Sequence, residues 1–315
     1  MDAPSAPLPF WGAQTSAVNF CEEDYIVTHF IAEFFNTLSS LAYIGYGYLG
    51  IQRVKRQDIS HFAAVNLPYW GLIGVGIFST IYHSTLKYHT QMADEMSMHL
   101  ATGCVLIQLY TFQQPPEIQR RNATIIVVGL TSFVIYHCAT DEFALHLALF
   151  LALCITVAWK TRKINHEKVT DESHRKKISS LTTLATSLAL FAYFLWNIDY
   201  HFCSTLTRWK HQIGMPWAMV LELHSWWHIL TAVSSYAFMA IIEFLTTPEG
   251  DASHGVGFLW PAKAVFEEIV PNRLMNGQAS EKGKKSMANG FANGSAKQSP
   301  NGSANGSVRK EKHIA

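Results

Sequence analysis

Two histidines at helical spacing are the first residues of this sequence that could do chemistry. His224 and His228 lie four residues apart in LELHSWWHILTAV, so both imidazoles project from one face of a helix. Two imidazoles placed in this way can chelate one metal ion. The pattern alone is weak, because polar side chains also form hydrogen bonds that hold membrane helices together.

Two further segments carry side chains that would complete a hydrolytic site. Ser79 and His83 lie four residues apart in FSTIYHST, and Asp94 and Glu95 follow in TQMADEMSMH. Three imidazoles with one open position are typical of catalytic zinc, which polarises a carbonyl and lowers the pKa of bound water. A nearby carboxylate could take the proton of that water, and a hydroxyl could bind the metal or the developing oxyanion.

These segments fall within or at the ends of hydrophobic stretches. The chain has 315 residues, of which 49% are hydrophobic and 15% are charged, whereas a soluble domain carries roughly 25% charge. A bilayer core is crossed by about 20 apolar residues. We therefore predict an all-α membrane protein, a bundle of seven transmembrane helices. The predicted spans are 29–51, 66–85, 92–113, 123–139, 142–160, 178–200 and 217–245.

The distribution of lysine and arginine predicts the orientation. The connections after the first, third and fifth predicted spans hold most of these residues, and the alternate connections hold few. Because positive residues favour the cytosolic side, we expect a lumenal N-terminus and a cytosolic C-terminus. His83, Asp94 and His224 then lie in the lumenal half of the membrane. The net charge of +1 argues against nucleic acid as a partner.

Three regions follow from this topology. Residues 1–28 form a lumenal segment, residues 29–245 form the catalytic core, and residues 246–315 form a cytosolic tail. Beyond about residue 272 the tail is rich in Gly, Asn, Ser and Lys, a composition that buries too little apolar surface to order itself.

The segment before the first span carries a possible calcium site. In VNFCEEDYIVTHFIAEFFNT, Asn19, Glu22, Asp24 and Glu33 offer oxygen ligands at short spacing, and calcium prefers such ligands. An acidic helix N-terminus, favoured by the helix dipole, explains the same residues. The sequence leaves both interpretations open.

Three other histidines have no assigned chemistry. His99 lies four residues after Glu95 and could form a hydrogen bond with it. His137 and His146 flank the turn between the fourth and fifth predicted spans. The sequence identifies no partner for these two.

Several segments together resemble the alkaline ceramidases, within the superfamily of seven-span membrane hydrolases that includes the adiponectin receptors. They are NFCEEDY, IAEFFNTLS, GIFSTIYHSTLKYHTQMADE, FLWNID and LELHSWWHILT, spread over about residues 10–245. The resemblance implies that His83, His224 and His228 bind zinc and that Ser79 and Asp94 complete the active site. It implies hydrolysis of ceramide, including phytoceramide or dihydroceramide, in the membrane of the endoplasmic reticulum or Golgi. No obligate protein partner is implied.

The same resemblance implies a calcium site. Its ligands would be Asn19, Phe20 through its carbonyl, Glu22, Asp24 and Glu33. Family members commonly have Asp-Trp at the first two of these positions and Asn at the position of Asp24. Asp and Asn are thus exchanged here, which keeps the total charge but moves it.

Two further features of this region follow from the resemblance and the topology. Asn197 and Asp199 of FLWNID lie at the lumenal end of the sixth span, near the candidate calcium segment, where they could cap a helix or form supporting hydrogen bonds. Cys21 and Cys203 fall in the same compartment, which permits disulfides. A disulfide between them would tie the N-terminal segment to the sixth–seventh connection.

Three alternative functions remain open from the sequence. The first is hydrolysis of another lipid bond, such as the bond that a relative in the superfamily cuts during remodelling of GPI anchors. A receptor of the adiponectin-receptor type normally has a cytosolic N-terminus, opposite to the orientation predicted here. A transporter could line its path with the same polar residues and would need no zinc.

Overall fold

The computed structural model describes residues 9–55, 64–247 and 255–269 of the chain; these residues are mainly helical, and the first helix begins only after the non-helical segment 9–33. The predicted all-α class is therefore confirmed for this part. The α-helices are α1 (Phe34–Lys55), α2 (Leu67–Thr85), α3 (Tyr88–Thr111), α4 (Pro116–Thr140), α5 (Phe143–Lys168), α6 (Glu172–His201), α7 (Cys203–Ile213) and α8 (Leu223–Thr246). Short 3₁₀ helices precede α2 and α8 at Ala64–Asn66 and Trp217–Leu221, and residues 262–269 are helical as well.

Among the described residues, five helical stretches are long and apolar enough to cross a membrane. They are Ala64–Thr85, Pro116–Thr140, Phe143–Lys168, Glu172–His201 and Leu223–Thr246. Large apolar side chains such as Ile135 and Ile155 are 67% and 69% exposed on the outer faces of α4 and α5, as expected for side chains that face lipid. The chain is thus a multi-pass membrane protein.

The predicted first and third spans correspond to α1 and α3, which have 22 and 24 residues. Neither is apolar enough to count among the five stretches. Buried polar side chains lower their hydropathy, among them Asn36 and Ser40 in α1 and Gln91 and Glu95 in α3. The number of membrane spans therefore depends on whether α1 and α3, whose polar side chains face the interior of the bundle, are counted with the five apolar stretches.

The helix ends explain several differences from the predicted spans. Pro116 starts α4 and Asp141 ends it in the left-handed region, within the predicted turn. The predicted seventh span begins too early, because Pro216 precedes a 3₁₀ helix and α8 starts only at Leu223. Helix α7 lies in a segment that was predicted to be only a connection.

Two glycines allow the helices that carry the site to pack closely. A Cβ added at Gly76 of α2 would lie 3.0 Å from the backbone carbonyl of Ser40 in α1. One added at Gly71 would lie 2.8 Å from the Cα of Ala101 in α3. Small residues permit such close approach of membrane helices. Gly76 lies one turn before Ser79, so this packing fixes the distance between the site residues of α2 and α1.

The opposite end of the bundle contains a buried ion pair. Arg53 lies beyond the predicted first span, 29–51, but it belongs to α1, is 4% exposed and pairs with Glu243 of α8. Tyr69 donates a 2.7 Å hydrogen bond to the same carboxylate. The guanidinium also lies 3.8 Å from the ring centre of Phe258. Helix α1 can therefore extend beyond its apolar stretch, because Glu243 neutralises the charge of Arg53 inside the fold.

Part of the predicted tail packs against the core. Phe258, Ala262, Phe266 and Ile269 are buried there. The predicted disordered part beyond about residue 272 and the first eight residues lie outside the described residues.

Candidate active site and metal centre

Three histidines from two distant helices converge in the interior of the bundle. The candidate ligand atoms of His83, His224 and His228 all lie within 4.8 Å of one another, and all three side chains are buried. His83 comes from the last turn of α2, and the other two come from the first turns of α8. The i, i+4 spacing fixed the pair on α8, and the packing of the helices adds the third imidazole.

Hydrogen bonds hold two of these rings in a metal-binding orientation. Nδ1 of His83 contacts the carboxylate of Glu33, and Nδ1 of His228 lies 3.1 Å from the backbone carbonyl of Asn36. Such outer partners keep the proton on one ring nitrogen and leave the other nitrogen free to bind a metal.

The remaining nitrogens fit this interpretation. Nε2 of His83 and Nδ1 of His224 are buried and form no hydrogen bond within the described structure. A buried polar atom without a partner is costly. Two unsatisfied nitrogens beside a third imidazole, that of His228, therefore fit a borderline-soft ion such as zinc.

The catalytic candidates lie beside these histidines. Ser79, Asp94, His224 and His228 all line one cavity. The Ser79 hydroxyl lies within hydrogen-bonding reach of the Asp94 carboxyl and 2.9 Å from the hydroxyl of Ser40. A carboxylate and a hydroxyl thus stand next to the candidate ligands at one end of the cavity.

The rest of the cavity is mainly apolar. It encloses about 700 Å³ of unfilled space, including its open mouth. Apolar side chains of its wall include Val75, Met98, Leu147, Phe150 and Trp196. A polar end joined to apolar walls matches a ligand with a polar head and a hydrocarbon body.

Asp199 of α6 connects the N-terminal segment to the histidine helix. One carboxylate oxygen accepts a 2.9 Å hydrogen bond from the backbone N–H of Cys21, and the other accepts a 3.2 Å bond from that of His224. The second bond satisfies an unpaired N–H at the start of α8. Asn197 instead donates to the carbonyl of Tyr193 within α6.

The N-terminal segment is tied down at further points. Cys21 and Cys203 form a disulfide with their Cα atoms 5.0 Å apart, as the sequence suggested. Lys210 of α7 donates to the carbonyl of Cys21 at 2.8 Å. Phe20 stacks on the His224 ring with 3.5 Å between ring centres. The segment thus packs against one of the three histidines of the candidate metal centre.

The candidate calcium ligands surround the start of α1. Glu22 accepts hydrogen bonds from the backbone N–H groups of Phe35 and Asn36 at 2.7 and 2.9 Å. It therefore caps this helix, one of the two roles that the sequence left open. Asn19 donates to Asp24 at 3.3 Å.

The three carboxyl groups of this set are not gathered as tightly as the histidines. Glu22, Asp24 and Glu33 belong to neither of the two clusters whose ligand atoms lie within 4.8 Å of one another in the described part of the chain. Burial and, to a smaller extent, the negative charge of Glu33 nevertheless raise the pKa of Glu22 to about 8. A bound cation would relieve both effects.

A second cluster was missed by sequence reasoning. Glu95 of α3, His137 of α4 and His146 of α5 also bring their ligand atoms within 4.8 Å of one another. The sequence allowed a hydrogen bond between His99 and Glu95, and Nδ1 of His99 lies 3.1 Å from the backbone carbonyl of Glu95. The tight turn between α4 and α5 was the available signal, because it must bring the ends of these helices together.

Comparisons with known proteins identify a family. The family model described as Ceramidase matches residues 12–272, which include every candidate site residue. The chain is 31% identical over 265 residues to alkaline ceramidase 3 of Mus musculus, covering 82% of this chain and 95% of that protein. It is 29% identical over 283 residues to alkaline ceramidase YPC1 of Saccharomyces cerevisiae, covering 85% and 88%. It is 26% identical over 243 residues to an alkaline ceramidase of Arabidopsis thaliana, covering 75% and 86%.

Proposed function

We propose, from the premise that this chain belongs to the ceramidase family, that it hydrolyses the amide bond of ceramide with the help of a zinc ion. The products are a sphingoid base and a fatty acid. The zinc ligands are His83, His224 and His228. The observation that carries this proposal is the convergence of three buried imidazoles, two of which, those of His224 and His228, line a mainly apolar cavity.

Zinc bound at this centre would polarise the amide carbonyl and make a water molecule a better nucleophile at moderate pH. Asp94 accepts a proton from the attacking water and then delivers it to the nitrogen of the leaving amine. A C–O bond forms and the C–N bond breaks. The proton thus passes from water to the sphingoid base, so no other reactant is needed.

Ser79 orients this carboxylate and supports the charge that develops on the amide oxygen. Its hydroxyl lies between Asp94 and Ser40, so it can donate to one neighbour while accepting from the other. Once Asp94 is protonated it can donate to the Ser79 oxygen, which leaves the Ser79 hydroxyl free to donate to the developing oxyanion.

The substrate enters with its two hydrocarbon chains along the apolar walls of the cavity and its amide at the histidines. Phytoceramide and dihydroceramide fit the same description as ceramide. The membrane core has seven spans, with α1 and α3 completing the five apolar stretches, because 22 and 24 helical residues are long enough to cross a bilayer core of about 30 Å.

The protein resides in the membrane of the endoplasmic reticulum or Golgi with the N-terminal segment in the lumen. The disulfide between Cys21 and Cys203 supports this orientation, because an oxidising lumen permits it. A protease added to intact microsomes should then spare an N-terminal tag and remove a C-terminal one. The reverse pattern would contradict the orientation.

A calcium ion binds at the N-terminal segment through Asn19, the carbonyl of Phe20, Glu22, Asp24 and Glu33. Support comes from the mutual repulsion of Glu22 and Glu33, which are 6% and 0% exposed. Oxygen ligands of this kind suit calcium. The ion would stabilise the segment that packs on His224.

One experiment tests the activity and its metal. Purified protein in detergent is incubated with ceramides and with phospholipids, with and without a zinc chelator, and the products are identified by mass spectrometry. We expect release of sphingoid base that disappears with the chelator and in His228→Ala, while the exposed control His89→Ala remains active.

Two outcomes would contradict the proposal in different ways. Undiminished release of sphingoid base by His228→Ala would exclude the three-histidine centre. Cleavage of a phospholipid or GPI-type lipid, with no cleavage of ceramide, would assign another lipid substrate to the same site.

A further inference from the structure

We propose that Glu95, His137 and His146 form a second binding site for a zinc-class divalent ion, separate from the three-histidine centre. The three ligands come from α3, α4 and α5, and their candidate ligand atoms all lie within 4.8 Å of one another. Each side chain is buried, with 6%, 0% and 3% exposure. None of them belongs to the three-histidine set.

The separations are close to those that one ion would impose. Nε2 of His137 and Nδ1 of His146 lie 2.6 and 4.0 Å from the same oxygen of Glu95. Tetrahedral zinc with bonds near 2.05 Å places its ligand atoms about 3.3 Å apart. Small side-chain movements would lengthen the 2.6 Å separation and shorten the 4.0 Å separation to this value. Two imidazoles and one carboxylate are ligands that zinc enzymes use.

The hydrogen bond between His137 and Glu95 leaves the third member of the cluster, His146, without a partner for its Nδ1 among the described residues. Nδ1 of His146 is buried without a hydrogen-bond partner in the described structure, and 4.0 Å from Glu95 is too long for a hydrogen bond. A metal ion between these two groups would satisfy both. The lone nitrogen therefore points to a ligand independently of the clustering.

The carboxylate is already oriented towards the two imidazoles. Gln91 donates a 2.8 Å hydrogen bond to one oxygen of Glu95, so the other oxygen faces His137 and His146. A partner that holds a ligand in place in this way is a regular feature of metal sites.

The position of the cluster indicates what the ion would do. Helix α4 packs chiefly against α3, and its apolar stretch is only 6% buried. An ion bound by α3, α4 and α5 would fasten this peripheral helix to the bundle. Glu95 and His146 also line the cavity, and Glu95 directly follows Asp94. The ion would thus fix the part of α3 that carries the proposed catalytic carboxylate.

Metal analysis of the purified full-length chain tests the proposal. Wild type should hold about two zinc ions per chain, and His146→Gln and Glu95→Gln about one. His228→Ala should also hold about one, and the double variant His146→Gln/His228→Ala should hold none. The exposed control His89→Gln should match wild type. One zinc per wild-type chain, unchanged in His146→Gln, would overturn the second site.

A thermal measurement keeps the test valid if a variant loses metal through poor folding. After chelator treatment, zinc added to His228→Ala should raise its Tm, because a ligand that binds only the native state stabilises it. The double variant should show no such rise. A Tm of His228→Ala that does not respond to zinc would contradict the second site. It would not bear on the three-histidine centre, which is tested separately by the difference in zinc content between wild type and His228→Ala.

Discussion

The Glu33 carboxylate contacts Nδ1 of His83, so a candidate calcium ligand directly touches a candidate zinc ligand. Both side chains are fully buried. The other oxygen of Glu33 accepts a 3.1 Å hydrogen bond from the backbone N–H of Phe20, whose ring stacks on His224. The N-terminal segment and the histidine centre are therefore physically coupled.

This contact predicts that Glu33→Gln will weaken zinc binding. The glutamine keeps the shape but loses the negative charge that orients and strengthens the imidazole ligand. Removal of such an outer partner costs roughly 10–100-fold in metal affinity. The measurement is a competition titration against a zinc chelator. Glu23→Gln, the same change at a more exposed position that binds His211, is the matched control, and equal affinities in the two variants would contradict the coupling.

Asp94→Asn should abolish most activity without loss of zinc. The variant can no longer accept a proton, so kcat should fall roughly 10²–10⁴-fold, the usual contribution of general acid–base catalysis. Zinc content and kcat are measured on the same preparation. Asp141→Asn is the control, because asparagine also tolerates the left-handed conformation found there. A variant of Asp94 with near wild-type kcat would remove this residue from the mechanism.

Calcium binding should strengthen as the pH rises towards about 8. Burial raises the pKa of Glu22 from 4.5 to about 8, so the metal-free site carries a proton at neutral pH that calcium must displace. Calcium titrations across this range should show the affinity falling with pH below about 8. Glu22→Gln should flatten this dependence. An affinity of wild type that does not vary with pH would contradict the role of Glu22.

The same pKa predicts the sign of the pH effect on stability. Between pH 4.5 and about 8 the native state holds a proton on Glu22 that the unfolded state has lost. The contribution of this group to the free energy of unfolding therefore decreases as the pH rises through that window. Calcium should reverse the loss. Thermal unfolding with calcium and with a calcium chelator at several pH values measures both effects, and a calcium effect of the same size at every pH would contradict the linkage.

Glu243→Ala should destabilise the protein strongly without touching the active site. It would leave Arg53 buried without its carboxylate partner, and breaking a buried pair costs about 3–5 kcal/mol. Glu172→Ala removes a pair with Lys176 whose side chains are 66% and 75% exposed, and we expect a much smaller effect from it. Thermal unfolding in detergent compares the two. Similar shifts in both variants would mean that the buried pair contributes no more than a surface one.

The sequence determined the features that depend on local geometry. The i, i+4 spacing fixes His224 and His228 on one helix face whatever surrounds them. The length and apolar content of a stretch likewise predict a membrane helix without knowledge of its neighbours. For this reason the all-α class and most helix positions could be predicted from the sequence. The family was indicated separately, by the resemblance of the motifs.

Only the tertiary structure decided which distant side chains meet. The spacing of Glu33 from Glu22 indicated a calcium ligand. Its contact with His83 joins the start of α1 to the end of α2, so it depends on how these two helices pack. Likewise, Glu95 and His137 lie 42 positions apart in the sequence, yet Nε2 of His137 lies 2.6 Å from a carboxylate oxygen of Glu95. No local pattern encodes such a distance, because it is set by the close packing of whole helices around small residues such as Gly76.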